Sequence, residues 1–293
     1  MKTSLSKIST ISSREFISVH KGPKLLFLGA IHGNEICGPK AIHLVIAEIE
    51  SGKIELEKGS VAFVPVANPQ AHKLGKRFVD ENLNRVFAPT KNPKTYEAKL
   101  ANILCTLVDQ SDVVLDLHSI TAKGEPFIYL DFPTKNNRAL AQALGPKIAL
   151  VGWPELYKRI GQGSYSSDTT MYSAKMKKDT LLIECGQHST PKSTEVAYLA
   201  IIATLQYYGV IKGKPKKQKL TEVIMDNVYF RQNQRERFAK DWKHLDPVKK
   251  GAVLYIDKEG IAIMTPYDGF VVMPNAKALN GEDWLYLGRG KKA

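Results

Sequence analysis

A histidine and a glutamate three residues apart follow an apolar run near the start of the chain. Lys24-Leu25-Leu26-Phe27-Leu28 leads into Gly29-Ala30-Ile31-His32-Gly33-Asn34-Glu35, and a helical pattern begins near Ile36. Imidazole and carboxylate both coordinate divalent cations; a local pair sets two coordination directions, and a remote third ligand closes such a site only in the folded chain. His118 is a candidate for that third position, at the end of Val113-Val114-Leu115-Asp116-Leu117, and Asp116 lies two residues earlier on the same strand face, placed to support the ring. Glu184 ends Leu181-Leu182-Ile183, where a carboxylate among apolar residues is costly unless paired or metal-bound. Two histidines and a glutamate complete the protein shell of a catalytic zinc and leave a position for water, and a further acid nearby would be the base. Each residue taken alone also has a plainer role. His32 and Glu35 suit a helix start, His118 a hydrogen-bonded core imidazole, Glu184 a carboxylate paired with a lysine, and Asp116 a partner for a loop amide.

A second constellation is Lys76-Arg77-Phe78-Val79-Asp80-Glu81-Asn82-Leu83-Asn84-Arg85-Val86-Phe87. Arginine grips carboxylate with two parallel hydrogen bonds, so Arg77 and Arg85 suit an anionic substrate or a developing oxyanion. Surface ion pairs explain the same residues without a ligand.

The elements that must position these groups follow from periodicity. Short apolar runs at Lys24–Leu28, Val61–Val66, Val113–Leu117, Phe127–Leu130, Ile148–Val151 and Leu181–Cys185 predict strands. Ile42, Val45, Ile46 and Ile49 recur at helical spacing before Ser51-Gly52; Leu100, Ile103, Leu104 and Leu107 do so after Tyr96; a third helix is expected from Ser193 to Tyr208. Continuously apolar strands separated by helices predict an α/β domain, its sheet mostly parallel and buried on both faces, with ligands at the carboxyl ends of the strands. His32, Glu35, His118 and Glu184 all fall at such ends. Past the lysine-rich stretch Lys212–Lys219, the runs Ala252–Ile256, Ile261–Met264, Phe270–Met273 and Trp284–Leu287 are separated by glycine turns and predict a small all-β unit. The expected organisation is a catalytic domain over 1–211, a basic linker over 212–220 and a β-rich domain over 221–293.

The 293 residues carry 42 lysines and arginines against 29 acids, a formal charge of +13. Much of the excess sits in Lys212–Lys219, in Lys175-Met176-Lys177-Lys178 and in Gly290-Lys291-Lys292, stretches that look like solvated loops; no zinc finger or basic helix with interleaved aromatics accompanies them, and nucleic-acid binding is not expected. No window approaches the roughly 20 apolar residues of a membrane span, and the first residues lack a secretory core. Cys37, Cys105 and Cys185 are odd in number and widely spaced, which fits reduced thiols and a cytoplasmic protein. Self-association is left open.

Taken together, HGNE at 32–35, NLNR at 82–85, DLHS at 116–119 and IECG at 183–186 resemble the succinylglutamate desuccinylase and aspartoacylase family of zinc carboxypeptidase-like hydrolases. The resemblance covers most of the chain, including the β-rich end. It implies one zinc per chain held by His32, Glu35 and His118, with Glu184 as the general base that activates zinc-bound water and protonates the leaving amine. Arg77 corresponds to the arginine that polarises the acyl carbonyl, and Asn84 and Arg85 to the pair that grips a substrate carboxylate. A small anionic N-acylated substrate is therefore implied. The sequence departs from aspartoacylases at Ser119, where they carry asparagine, and at Met171, where Thr169-Thr170-Met171 stands for a Thr-Thr-Arg sequence that binds carboxylate. N-acetylaspartate is doubtful on that ground, although Lys175, Lys177 or Tyr165 are possible substitutes. The Gly-, Ser- and Tyr-rich stretch from Glu155 to Lys178 is read as the loop that sets substrate choice. A carboxypeptidase-like cleavage of a peptide, or a zinc-holding module without turnover, remain the competing expectations.

Overall fold

The computed structural model describes residues 11–121, 124–161, 167–188 and 190–290, so Tyr165 and the Lys291-Lys292 end of the basic tail lie outside the described residues. In chain order the first part runs β1 (Arg14–Ile17), β2 (Lys24–Gly29), α1 (Cys37–Glu50), β3 (Ser60–Val64), α2 (Pro69–Lys73), a 3-10 turn at Leu83–Arg85 and α3 (Tyr96–Asp109). It continues through β4 (Val113–Ile120), β5 (Phe127–Tyr129), α4 (Lys135–Ala141), β6 (Ile148–Val151), α5 (Trp153–Arg159), α6 (Thr169–Lys175), β7 (Asp179–Gln187) and α7 (Pro191–Tyr207). Seven further strands follow: β8 (Thr221–Phe230), β9 (Arg237–Phe238), β10 (Asp246–Val248), β11 (Val253–Ile256), β12 (Ala262–Met264), β13 (Gly269–Val272) and β14 (Asp283–Gly290).

Strands β3, β2, β4 and β7 are parallel neighbours, as their apolar character predicts, and β5 pairs antiparallel with β7. Helices α1 and α7 cover one face, where Ile42, Val45, Ala197 and Ile201 bury Phe27, Leu115, Leu117 and Ile183. On the other face Leu100, Leu104 and Val108 of α3 pack on Leu26, Leu28 and Val114. Burial on both faces is what makes a run such as Leu25–Leu28 continuously apolar instead of alternating.

Beyond the basic stretch, β8 pairs in parallel with β6, so the sheet does not stop at the lysines. It continues with antiparallel partners in the order β8-β14-β13-β10, while β12-β11-β9 form a separate three-stranded sheet. Trp153 and Tyr157 of α5, Val223 and Met225 of β8, Val272 of β13 and Tyr286 of β14 share one buried cluster that ties the two parts together.

The stretch from Glu155 to Lys178, expected as a loop, instead contains two helical segments among its described residues. Most of α5 and all of α6 fall within it. Two local signals explain the difference: Pro154 occupies the first turn of α5, and the Asp168 carboxylate caps α6 by accepting the Met171 N–H at 2.8 Å and the Thr170 hydroxyl at 2.7 Å.

Candidate active site

The β2 to α1 turn is tightly built. Ala30 takes a left-handed backbone at φ +47°, an unusual conformation for a residue with a side chain. Gly33 lies so close to α2 that a Cβ there would meet the Ala71 carbonyl carbon at 2.3 Å, and its N–H donates to the Arg77 carbonyl at 3.0 Å. Only glycine fits this approach. The turn delivers His32 and Glu35 above the strand ends, where His118 of β4 and Glu184 of β7 are register partners in adjacent parallel strands.

His32, Glu35 and His118 come together with one ligand atom from each within 4.8 Å of the others, all three buried. The Glu35 carboxylate lies between the rings: Oε1 is 2.8 Å from His32 Nδ1 and Oε2 is 3.0 Å from His118 Nδ1. Each ring is held from behind. His32 Nε2 meets Asn82 Oδ1 at 3.0 Å, and His118 Nε2 meets Asp116 Oδ2 at 2.8 Å. Partners at Nε2 leave both Nδ1 atoms facing one point, the arrangement that orients histidines toward a metal ion. Asp116 is held in turn by the Thr169 hydroxyl at 2.6 Å, and Glu35 Oε2 accepts the Ser119 N–H at 2.9 Å. A buried donor set of two imidazoles and a carboxylate, backed by such partners, fits zinc.

Electrostatics set the four groups apart. Burial pushes His32 down to about 4, with Arg77 adding to the effect. For His118 burial acts in the same direction but is outweighed by the Asp116 and Glu35 carboxylates, which hold the ring well above the usual histidine value. Glu35 is held well below the carboxylate range because His118 and His32 outweigh its burial. Glu184 is raised to about 8, by burial first and by the Glu35 charge second. Its Oε2 has no hydrogen-bond partner among the described residues. A carboxyl in this state accepts and releases a proton near neutral pH.

The loop carrying the arginines is organised by a residue the sequence reading did not single out. Glu97, fully buried in the first turn of α3, accepts the N–H groups of Val79, Asp80 and Glu81 at 2.7, 3.1 and 3.2 Å and the Asn68 side-chain amide at 3.0 Å. That grip places Arg77 Nη1 at 3.3 Å from Glu35 Oε1. Asn84 is buried, its Nδ2 at 3.4 Å from His118 Nε2, while Arg85 Nη1 donates to the Asn84 carbonyl at 2.8 Å. The only signal for Glu97 in the sequence was an acid in the first turn of a helix, which normally marks a solvated dipole contact.

All seven predicted site residues line one cavity of about 270 Å³. Its far wall is formed by Tyr129, Trp153, Met273 and Tyr286, with Asp131, Asp168 and Asp283. Trp153 meets Tyr129 edge-on with ring centres 5.3 Å apart and lies tilted against Tyr286 at 4.6 Å. Thr170 lines this cavity, whereas Met171 and Lys175 line a separate hollow with Phe87 and Phe132. The sequence comparison at Met171 therefore points at a side chain directed elsewhere.

A parallel-centred sheet flanked by helices, with a buried His-Glu-His cluster and an acid at its carboxyl edge, is the architecture of a hydrolase class. The chain matches the model of the succinylglutamate desuccinylase/aspartoacylase catalytic domain over residues 21–203, and it belongs to that family, whose members hydrolyse amide bonds. It is 27% identical over 262 residues to a probable aspartoacylase of Prochlorococcus marinus (strain MIT 9515), covering 81% of this chain and 83% of that protein. It is 26% identical over 220 residues to the N-alpha-acetyl-L-2,4-diaminobutyric acid deacetylase of Halomonas elongata, covering 70% of this chain and 60% of that protein. The fold is shared with the product-bound structure of the ectoine utilization protein EutE (DoeB) from Ruegeria pomeroyi: TM-score 0.76, 21% identity, 96% of this chain and 88% of that one.

Proposed function

We propose that this chain is a zinc-dependent deacylase that hydrolyses the acyl amide of a small N-acyl amino acid or related amide. The observation that carries the reading is the Glu35 carboxylate set between two Nδ1 atoms, in one cavity with an acid whose Oε2 is unpartnered among the described residues. His32, Glu35 and His118 would hold one zinc per chain. Bound there, zinc would polarise the acyl carbonyl and would lower the pKa of a water toward roughly 7.

Glu184 takes a proton from the attacking water and delivers it to the leaving nitrogen, a double duty suited to a buried carboxyl whose Oε2 has no partner among the described residues. Arg77 donates to the acyl oxygen as charge develops on it. Asn84 and Arg85 hold a carboxylate on the amine half. An amine half with a single carboxylate fits best. Asp131, Asp168 and Asp283 line the same wall and offer a second carboxylate no cationic partner there. The cavity of about 270 Å³ supports a small substrate over a peptide. Three buried free thiols support a cytoplasmic setting, and among the described residues no helix is long and apolar enough to cross a membrane.

The test is amine release from N-acetyl, N-succinyl and N-formyl amino acids by zinc-loaded protein, with Glu184→Ala as the blank. Release that disappears in the variant is expected. Equal release by both proteins would overturn the mechanism, and silence across the panel with zinc bound would move the assignment to larger amides.

A further inference from the structure

His188 belongs to none of the four motifs, yet it lines the same cavity as Glu184. Its route there is set by a bulge. Between the pairs His118↔Glu184 and Ile120↔Gln187, β7 contains one residue more than β4, and Gly186 absorbs the distortion at φ +109°. The bulge brings the His188 N–H onto the Ile120 carbonyl at 2.9 Å and its ring onto Ser119, with Nδ1 2.8 Å from Oγ.

The two sides of the sheet now differ. Asp116 and His118 face α6 and the 3-10 turn, where Thr169 and Asn84 touch them. Ser119 and Cys185 face the other way, with Cys37 of α1 among their neighbours. His188 comes over the strand ends from this second side and also borders a groove between α1 and α7 lined by Ile36, Lys40 and Tyr198. An amide whose amine half reached Asn84 and Arg85 would have His188 in the lining left for its acyl half.

The imidazole is prepared for a contact. Nδ1 is paired with the Ser119 hydroxyl, and the other ring nitrogen, Nε2, is buried with no partner among the described residues. A buried ring nitrogen without a partner is costly, so a polar group from outside the protein is the natural completion, and with the Ser119 hydroxyl as donor to Nδ1 that group would be an acceptor for Nε2–H. Ser119 serves both sites, since its own N–H donates to Glu35 Oε2 at 2.9 Å.

We propose that His188, held by Ser119, is the specificity-determining contact for the acyl half, donating its Nε2–H to a second oxygen carried by the acyl group. The proposal rests on the deacylase reading above. Its test is a crossed panel of N-acetyl and N-glycolyl derivatives, acyl groups that differ by one hydroxyl, on each of two amino acids. The wild type is expected to favour glycolyl by about tenfold in kcat/KM. His188→Ala should erase that preference with zinc content unchanged, His188→Gln should recover part of it, and the ratio between the two amino acids should stay within about threefold. Independently of turnover, titrating glycolate into the zinc-loaded protein should move the His188 Nε2 signal in imidazole ¹⁵N spectra, and the free amino acid should not. An absent preference, an equal loss on all four substrates, or a Nε2 signal unmoved by glycolate would overturn the assignment. If the wild type releases no amine at all, the deacylase reading falls, and the glycolate titration still decides the contact at His188.

Discussion

The two ends of the cavity are built on different physics. At the cluster end, β2, β4 and β7 deliver four titratable side chains whose partners are single atoms: Asn82 Oδ1 behind His32, Asp116 Oδ2 behind His118, the Ser119 N–H on Glu35. At the far wall, Trp153, Tyr129 and Tyr286 meet through edge-on and tilted ring contacts, and Tyr157, Asp283 and Tyr286 close a hydrogen-bonded group beneath them. Directional contacts fail when one atom is removed. Packed surface degrades in proportion to the area and volume lost.

The sharpest test of that contrast is His32→Ala, which should abolish stoichiometric zinc and activity together; chelation of the wild type should reproduce the loss and added zinc should reverse it. Bound zinc at wild-type affinity in the variant would remove His32 from the ligand set. Glu184→Gln should lower kcat by about a thousandfold while zinc content stays at one per chain. A decrease of less than tenfold would shift the base elsewhere.

Trp153→Ala probes the other end. It should destabilise the protein by about 3–5 kcal/mol in denaturant unfolding and raise KM more than it lowers kcat. If kcat fell as it does in Glu184→Gln, the two ends would not be separable. Asn82→Ala should weaken zinc by about 10–100-fold in competition with a chelator, with little change in unfolding midpoint for the metal-free protein.

The smallest effect concerns acid. His244 is buried between Phe127 and the Met273 N–H, which it accepts at 3.0 Å, and burial pushes its pKa down to about 3. The folded ring stays neutral between that value and 6.5 while the unfolded one takes up a proton. The stabilisation is thus complete above about pH 6.5 and declines as pH falls through the window. At pH 5 the loss should be about 2 kcal/mol, visible as a fall in Tm that His244→Gln reduces. An identical pH profile for both proteins would show that this ring does not set the acid sensitivity.

Much of the parallel core was legible because its signals are local. Leu25–Leu28 is apolar throughout, Val113–Leu117 is interrupted only by Asp116, and the α1 and α3 stripes repeat at helical spacing, so each element can be identified within its own window. Helices α5 and α6 were missed because glycine, serine and tyrosine around them look like loop composition, while the capping Asp168 is a single residue. β8 was missed for a different reason. Thr221–Phe230 alternates weakly, and its parallel partner β6 lies some seventy residues earlier.

The sequence by itself determined the chemistry available: two imidazoles, two carboxylates and two guanidinium groups at motif spacing, each at a strand end or in a polar loop. Tertiary structure alone decided what those groups face. The distance from Asn82 to the back of His32, the grip of Glu97 on three loop amides, the direction of Thr170 rather than Met171 into the cavity, and the approach of His188 over a bulge all join residues far apart in the chain. Residue type and local spacing carry identity and periodicity, but hydrogen-bond geometry acts within about 3 Å between atoms that only the folded chain brings together.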